Sequence, residues 1–588
     1  MKFIPSSIQR ILADYSLKKF LCYAAFPAHW AKLYALKLQA NTEKRLFENH
    51  VLQWQQTNEP RPSSPRYIFQ PWLRSEPAPS FELAGDGLVV NRDSADPEIR
   101  MREDRLGWAL HLHAHDGTAA WTAVEKWLAE RWEKGLACRG AYSISERVGN
   151  LILLWNIHAP QPALGAQIVR MLEQDTDYLL AHLEYHGEAG TNNHILNNAR
   201  ALILAGAFLN TGSFYEVGCW LMENQLAKHV AEDGVVREAS THYQWVITRW
   251  MVEVGCAFHF MDQARFHQLR PRLHNMLQVC DAMLLGEDGA NYMPLLGDIS
   301  PDFPPRLYGG MTRFGYALLC SGDEEQNDKV SASGFWSQFF VGRMQPTQQS
   351  WQALDNSWVR IRNHGWSLIA HVDVHPDDSR STHGHHDLFS FELAFGGQPV
   401  IVDAGRGNYL AGRDREAAGI LEEWHNTIMV NGRRTGFVPR GYMPISWLKR
   451  IRTAPRVSAE SQRLEIRLDA PHEVPGISCI QRTWLWADER TAIVTNRVRK
   501  ELVSQASIKL VLYVMGQVSE AEGGLRLQIG TNSFLLCWNG LDMPVLKDAV
   551  RYAAYDVPEP CTRLEWIVIS QDSDWESDFK ISALESIE

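Results

Sequence analysis
Between Ser381 and Gly432 the chain reads STHGHHDLFSFELAFGGQPVIVDAGRGNYLAGRDREAAGILEEWHNTIMVNG. His383, His385 and His386 crowd one short segment with Asp387 beside them; Asp403 and His425 follow downstream. Imidazole titrates near neutrality, so such residues serve as acids, bases or metal ligands. Two imidazoles and a carboxylate, His385, Asp403 and His425, suit a zinc ion or another borderline divalent metal. They are far apart in sequence and lack the strict spacing of a zinc motif. A hydrogen-bonded polar cluster at a strand edge is the other reading of the same residues.

Two stretches upstream also carry chemistry. In GEAGTNNHILNNARALILAG the polar turn Thr191-Asn192-Asn193 opens a helix near His194. First-turn N–H groups are unsatisfied and carry partial positive charge. Asn193 and His194 at that mouth can hold a carboxylate, or Asn193 is an N-cap and His194 incidental. In EDGVVREASTHYQW, Asp233-Gly234 is a turn, and Glu238–Tyr243 enters a helix. The Tyr243 phenol can pass a proton or simply be a half-buried aromatic; His242 cannot share its helix face. His111, His113 and His115 in HLHAH read as surface or cleft histidines rather than a metal site.

The elements that position these residues follow from periodicity. Phe389, Phe391, Leu393 and Phe395 alternate with Leu388, Ser390, Glu392 and Ala394, the pattern of a strand with one buried face. Gly396-Gly397 turns into a second strand, Pro399–Val402. A third apolar run, Thr427–Val430, closes on Asn431-Gly432, a hairpin signal. From Thr118 the pattern is helical, with runs such as WTAVEKWLAERWEKG, SERVGNLILLWNIHA and YQWVITRWMVEVGCAFHFMDQ between short glycine-bearing links. Consecutive helices of this kind form a bundle, an α-solenoid or an (α/α) toroid, and no fixed repeat chooses among them. From about Phe335 short alternating strands run to the C-terminus, an antiparallel β-sandwich. The organisation read here is a loop-rich, partly helical segment over 1–110, a helical domain over 111–335 and a β-sandwich over 336–588. Ligand sites favour domain interfaces, which puts the cleft between the last two.

HGHHDLFSFELAFGGQPVIVDAG followed by HNTIMVNG resembles the C-terminal β-domain signature of the heparinase II/III-like polysaccharide lyases. That resemblance covers the stretch from His383 to Gly432. Asn193-His194 and the turn before Tyr243 match two further family landmarks in the expected order, and PLLGDISPDF with Asp298 matches another of unassigned role. The resemblance implies an incomplete (α/α) toroid followed by an antiparallel β-sandwich. It implies catalytic roles for Asn193, His194, Tyr243 and His383, and a structural zinc on His385, Asp403 and His425. Asn192 and Arg406 are assigned to substrate binding. Position 197 is Asn, where some family members carry Glu.

The implied reaction is β-elimination on a uronic-acid polysaccharide, glycosaminoglycan-like, alginate-like or bacterial surface polymer. The C5 proton is weakly acidic, so neutralising the adjacent carboxylate is the largest demand. Asn193 would meet it, His194 or His383 would be the base, and Tyr243 the general acid. A toroid glycosidase using paired carboxylates is the alternative, as is a non-catalytic or epimerase-like protein of surface-polysaccharide synthesis.

Composition sets bounds on this reading. Hydrophobic residues at 45% and charged residues at 22% are ordinary for a globular protein, and 588 residues allow two or more domains. A net charge of −11 argues against a nucleic-acid partner and requires an anionic polymer to meet a local basic patch. The nine cysteines are scattered without a CxxC, as reduced buried thiols are. Lys18-Lys19 before FLCYAAFPAHWA reads as an amphipathic helix that packs or touches a membrane surface, rather than a cleaved signal. No stretch is long enough to span a bilayer. A cytoplasmic location is expected, with a periplasmic one as the alternative.

Overall fold
The computed structural model describes residues 39, 41–48, 51, 65–69, 96–113, 116–187, 191–286, 292–319, 351–354, 358–372, 383–409, 419–433, 453–460, 462–471, 473–501, 503 and 505–584. The N-terminal amphipathic segment around Lys18–Ala31 and His115 lie outside them. Helices are α1 (Pro97–Arg105), α2 (Gly107–His113), α3 (Gly117–Trp127), α4 (Ala141–Ile157), α5 (Pro162–Ala181), α6 (His194–Leu209), α7 (Gly212–His229), α8 (Thr241–Met261), α9 (Gln263–Met283) and α10 (Met311–Leu319). Helix α1 falls in the stretch the sequence reads as a connector. Pro97 at its first turn and the Asp96 side chain accepting from the Glu98 N–H start it. Its buried face carries Arg102, Glu103, Asp104 and Arg105, so it shows no hydrophobic period.

Helix α6 packs against α4 on one side and α8 on the other, and α4, α6 and α8 each also pack on the helix that follows, α5, α7 and α9. Their burial explains this order. Every residue of α8 from Thr241 to Phe258 is buried, as is every residue of α6 after His194. By contrast α5 buries Leu164, Ile168, Met171, Leu172, Asp175 and Leu179, a single stripe at helical spacing. An inner helix buried all round followed by an outer amphipathic one, repeated, is an arc of an (α/α) toroid.

The inner helices also share charge. Arg200 of α6 reaches Glu253 of α8 at 2.5 Å and Glu146 of α4 at 3.2 Å. Arg249 of α8 reaches Glu253 at 2.8 Å and Glu146 at 3.3 Å. The Trp250 indole donates to Glu146 at 2.9 Å. All four charged side chains are at most 1% exposed. Gly149 makes room for this: a Cβ there would stand 2.2 Å from Arg200 Nη2.

Two antiparallel sheets form the C-terminal half. The first runs Trp351–Leu354, Trp358–Asn363, Trp366–His371, Phe391–Phe395, Gln398–Ile401, Ala506–Val514, Val557–Ser570, Val545–Ala554, with Ile428–Val430 also paired to Ala506–Val514. The second runs Gln517–Ala521, Gly524–Ile529, Asn532–Asn539, Asp574–Ala583, Thr491–Lys500, Ile477–Asp488, Arg463–Asp469, Arg456–Glu460. Phe391, Leu393, Trp484 and Phe534 belong to the core between the sheets. The strand at Phe391–Phe395 was expected to bury one face and buries both. Its other face, with Ala394, packs on Val279, Ala282 and Met283 of α9. Phe389 is in a left-handed turn (φ 73°) before the strand begins. Asn431 and Gly432 take the positive φ their turn requires, but Ile428–Val430 pairs with Ala506–Val514. Residues 434–452, where a hairpin partner would follow, lie outside the described set.

Glu392 on that strand is fully buried against the helical half. It accepts from the Tyr292 hydroxyl at 2.6 Å and the Leu295 N–H at 3.0 Å. Burial pushes its carboxyl up to about 7, against the opposing pull of Tyr292 and Arg551. A raised carboxyl favours folding only while it stays protonated, so this contribution is lost as pH rises through about 7. Between about pH 5 and about pH 8 the loss should be about 1–3 kcal/mol. Denaturation midpoints of Glu392→Gln should change less over this range than those of the wild type. An equal change in both proteins would refute this.

Candidate active site
The N-terminal ends of the inner helices gather on one side. Tyr142 is the second residue of α4, His194 the first of α6 and Tyr243 the third of α8. The Tyr142 and His194 rings are 4.5 Å apart. The Ser240 hydroxyl starts α8 by accepting from the Tyr243 N–H. Against these ends stand the segment carrying Asp298, Ile299 and Asp302 and the sandwich loops carrying His383, His385, Arg406 and Tyr409.

Asp298 is the hub of the sandwich side. Its carboxylate accepts from His383 Nδ1 at 3.1 Å, His385 Nε2 at 2.8 Å and Arg406 Nη1 at 3.1 Å. Its own N–H donates to the His383 carbonyl at 2.9 Å. Burial alone would raise this carboxyl; Arg406, then His383 and His385, hold it well below the usual range. The imidazole of His383 lies face to face with the Tyr243 ring, centroids 3.6 Å apart at 11°. The Tyr243 and Tyr409 hydroxyls are 3.2 Å apart, and Tyr409 donates to the Ile299 carbonyl at 3.1 Å. Burial pushes the Tyr243 phenol well above its ordinary range, opposed by the bond to Tyr409. It therefore keeps its proton near neutrality.

On the toroid side His194 Nδ1 is 3.0 Å from Glu184 Oε1. The Tyr142 hydroxyl donates to Asp302 at 2.9 Å, Arg105 pairs with Asp302, and the Arg105 guanidinium lies 4.9 Å over the Tyr142 ring. Asn193 is 1% exposed, and neither its amide oxygen nor its amide nitrogen has a hydrogen-bond partner. It stands at the N-cap position of α6 but makes no side-chain capping bond; Asn192 Oδ1 accepts from the His194 N–H at 3.1 Å instead. A fully buried amide with both ends unused is costly unless a ligand completes it.

Tyr243 and His383 thus meet where the two halves join, and His194 reaches the Asp302 segment through Tyr142; Asn193 precedes His194 on the toroid side. Arg406, expected at the substrate, has Nη1 on Asp298, lies 4.7 Å over the Tyr409 ring and leaves Nε unpartnered. Asn192 is half-buried and spends its side-chain oxygen on the start of α6. His242 is buried and structural. It accepts from the Ser300 N–H and donates to the Phe303 carbonyl, and burial pushes it down to about 3.

In the expected zinc set, His425 Nδ1 is 2.9 Å from both Asp403 oxygens, and the His385 and His425 rings are 5.2 Å apart. His385 spends Nε2 on Asp298. His385 Nδ1 and His425 Nε2 are buried without partners. Among the described residues no group of three or more His, Cys, Asp or Glu is arranged as a metal site.

Sequence reasoning missed the roles of Asp298, Tyr409 and Glu184. Asp298 was singled out without a role. Tyr409 follows Gly407-Asn408 in a loop, and Glu184 follows α5, so neither has a local pattern to announce it.

Residues 345–513 match the family described as Heparinase II/III-like, C-terminal, bearing out the resemblance of the His383–Gly432 stretch. The helical arc with its two-sheet sandwich is the architecture of heparinase III. A crystal structure of heparinase III is similar with a TM-score of 0.60 and 14% identity, covering 85% of this chain and 79% of that one. A mutant of heparan sulfate lyase HepC from Pedobacter heparinus gives 0.56 and 14%, covering 94% and 90%. A further heparinase III gene product gives 0.57 and 13%, covering 96% and 92%. At such identities the likeness is one of fold. A search of curated proteins by sequence found no match.

Proposed function
We propose that the chain is a polysaccharide lyase that cleaves a uronic-acid-containing polymer by β-elimination. One observation carries this reading: a buried amide with both ends unused, Asn193, precedes the carboxylate-bound His194 at the mouth of α6, while the carboxylate-bound His383 stacks on the Tyr243 ring where the two halves meet. Solved structures with the same fold include a heparinase III and a heparan sulfate lyase. The Asn193 amide at the mouth of α6 would hold the uronate carboxylate, favouring the charge that develops as the C5 proton leaves. His194 or His383 would take that proton on Nε2, since Nδ1 of each faces a carboxylate. Tyr243 would protonate the departing O4.

Paired-carboxylate hydrolysis fits less well. Asp298 is bound by Arg406 and two histidines, Asp302 by Arg105 and Tyr142, and Glu184 by His194. The test is incubation with a panel of uronic-acid polysaccharides, following the ultraviolet absorbance of the conjugated unsaturated uronate. Cleavage giving a saturated new end would establish hydrolysis instead. Deuterium uptake at C5 from heavy water without cleavage would establish an epimerase-like reaction.

A structural zinc on His385, Asp403 and His425 is part of the proposal. The donor types suit zinc, and each imidazole keeps one buried ring nitrogen without a partner. When bound, zinc would fix the loop that presents His383. His385 would pass that order on through Asp298, which it shares with His383. Elemental analysis of protein purified without chelators should find about one zinc per chain. His385→Ala should lose it and melt at lower temperature, whereas His383→Ala should melt close to wild type. Metal-free wild-type protein would remove zinc from the proposal.

A further inference from the structure
Glu184 enters the reaction as written only as the carboxylate that faces His194 Nδ1, and its surroundings are built for that place. It lies between α5 and α6, and Asn198 holds it twice. The Glu184 N–H donates to Asn198 Oδ1 at 2.9 Å, and Asn198 Nδ2 donates to Glu184 Oε2 at 3.3 Å. Asn198 Nδ2 also donates to the Ser145 hydroxyl at 3.1 Å, and Ser145 donates to the Ala141 carbonyl at 2.8 Å. His194 and Asn198 lie one turn apart on the same face of α6. The other carboxylate oxygen, Oε1, is therefore aimed at His194 Nδ1 by both ends of one helical turn.

We infer that Glu184 is a positioning residue that fixes His194 as a proton acceptor, holding the proton on Nδ1 and leaving the Nε2 lone pair toward the substrate. A carboxylate can only accept, so the Nδ1 edge must donate. The tautomer of a neutral imidazole is set by the bond its other nitrogen makes. The ring has a second restraint in Tyr142, packed 4.5 Å away and itself tied to Asp302. With 33% of its side chain exposed, against 13% for His383, His194 presents the more accessible edge of the two. Its restraints all come from the toroid and the segment after it, whereas the ring of His383 is held across the domain boundary. This inference rests on the lyase reading above, because only a reaction that removes a proton gives the tautomer a consequence.

The test uses full-length Glu184→Gln and Glu184→Asp. A Gln amide can donate as well as accept, so it no longer dictates the tautomer. On a cleaved polysaccharide, Glu184→Gln should lower kcat about 10- to 100-fold, the range for an orienting partner. KM should stay within about threefold, because ground-state binding is untouched. Glu184→Asp should recover part of the loss. Melting temperature should hold, since the pair is partly exposed and such pairs add little stability. Nitrogen-15 spectra of histidine-labelled protein, with His194 assigned by its loss in His194→Gln, should show the Nδ1–H form in wild type and a mixture in Glu184→Gln. An unchanged kcat, a joint fall of kcat and melting temperature without rescue by Asp, or an Nε2–H form in wild type would overturn the inference. If wild-type protein yields no unsaturated product, the lyase reading falls separately. The nitrogen-15 signature then decides alone whether Glu184 sets the tautomer.

Discussion

Tyr243→Phe should lower kcat by about 10²–10⁴-fold, the usual loss on removing a general acid, while KM moves much less. The substitution keeps the ring that lies on His383 and removes only the hydroxyl. Tyr409 keeps its bond to the Ile299 carbonyl, so no buried donor is stranded and folding should change little. The effect belongs to the transition state because the proton is needed only as O4 departs. Asn193→Ala should also lower kcat but weaken polymer binding as well, since its amide would touch the ground-state carboxylate. Steady-state kinetics on a cleaved substrate separate the two patterns. Near-normal turnover by Tyr243→Phe would end the lyase mechanism and favour the paired-carboxylate or non-catalytic reading.

Glu253→Ala should cost about 3–5 kcal/mol, the range for breaking a buried ion pair from one side. Arg200 and Arg249 both depend on Glu253, and neither reaches water. Glu146 would be left alone to face two guanidinium groups. Glu253→Gln should cost less, because an amide oxygen still accepts. Thermal melts followed by circular dichroism would show the loss as an early transition of the helical half. A melt superimposable on wild type would mean that water enters this core.

Much of this was legible because the signals were local. Alternation at Phe391–Phe395, the helical runs after Thr118 and the ordered histidines from His383 each follow from spacing within a few residues. Helix α1 was not legible, because charge rather than apolar surface fills its buried face. The covered second face of Phe391–Phe395 was not legible either, because only tertiary packing supplies α9. Asn193, His194, Tyr243 and His383 were singled out through the resemblance, and of these the structure brings Tyr243 and His383 into contact. The carboxylates behind the imidazoles were not legible, since 85 residues separate Asp298 from His383, and proximity at that range is a property of the fold.

The stacked pair of Tyr243 and His383 also has a meaning in time. During synthesis Tyr243 leaves the ribosome 166 residues before Tyr409, the partner of its hydroxyl. Until the sandwich docks, the inner-helix ends face water, and no proton path of the kind described exists. On the lyase reading, a nascent chain would be inert toward polymer. Anything that later parts the two halves would separate Tyr243 from His383 and from Tyr409.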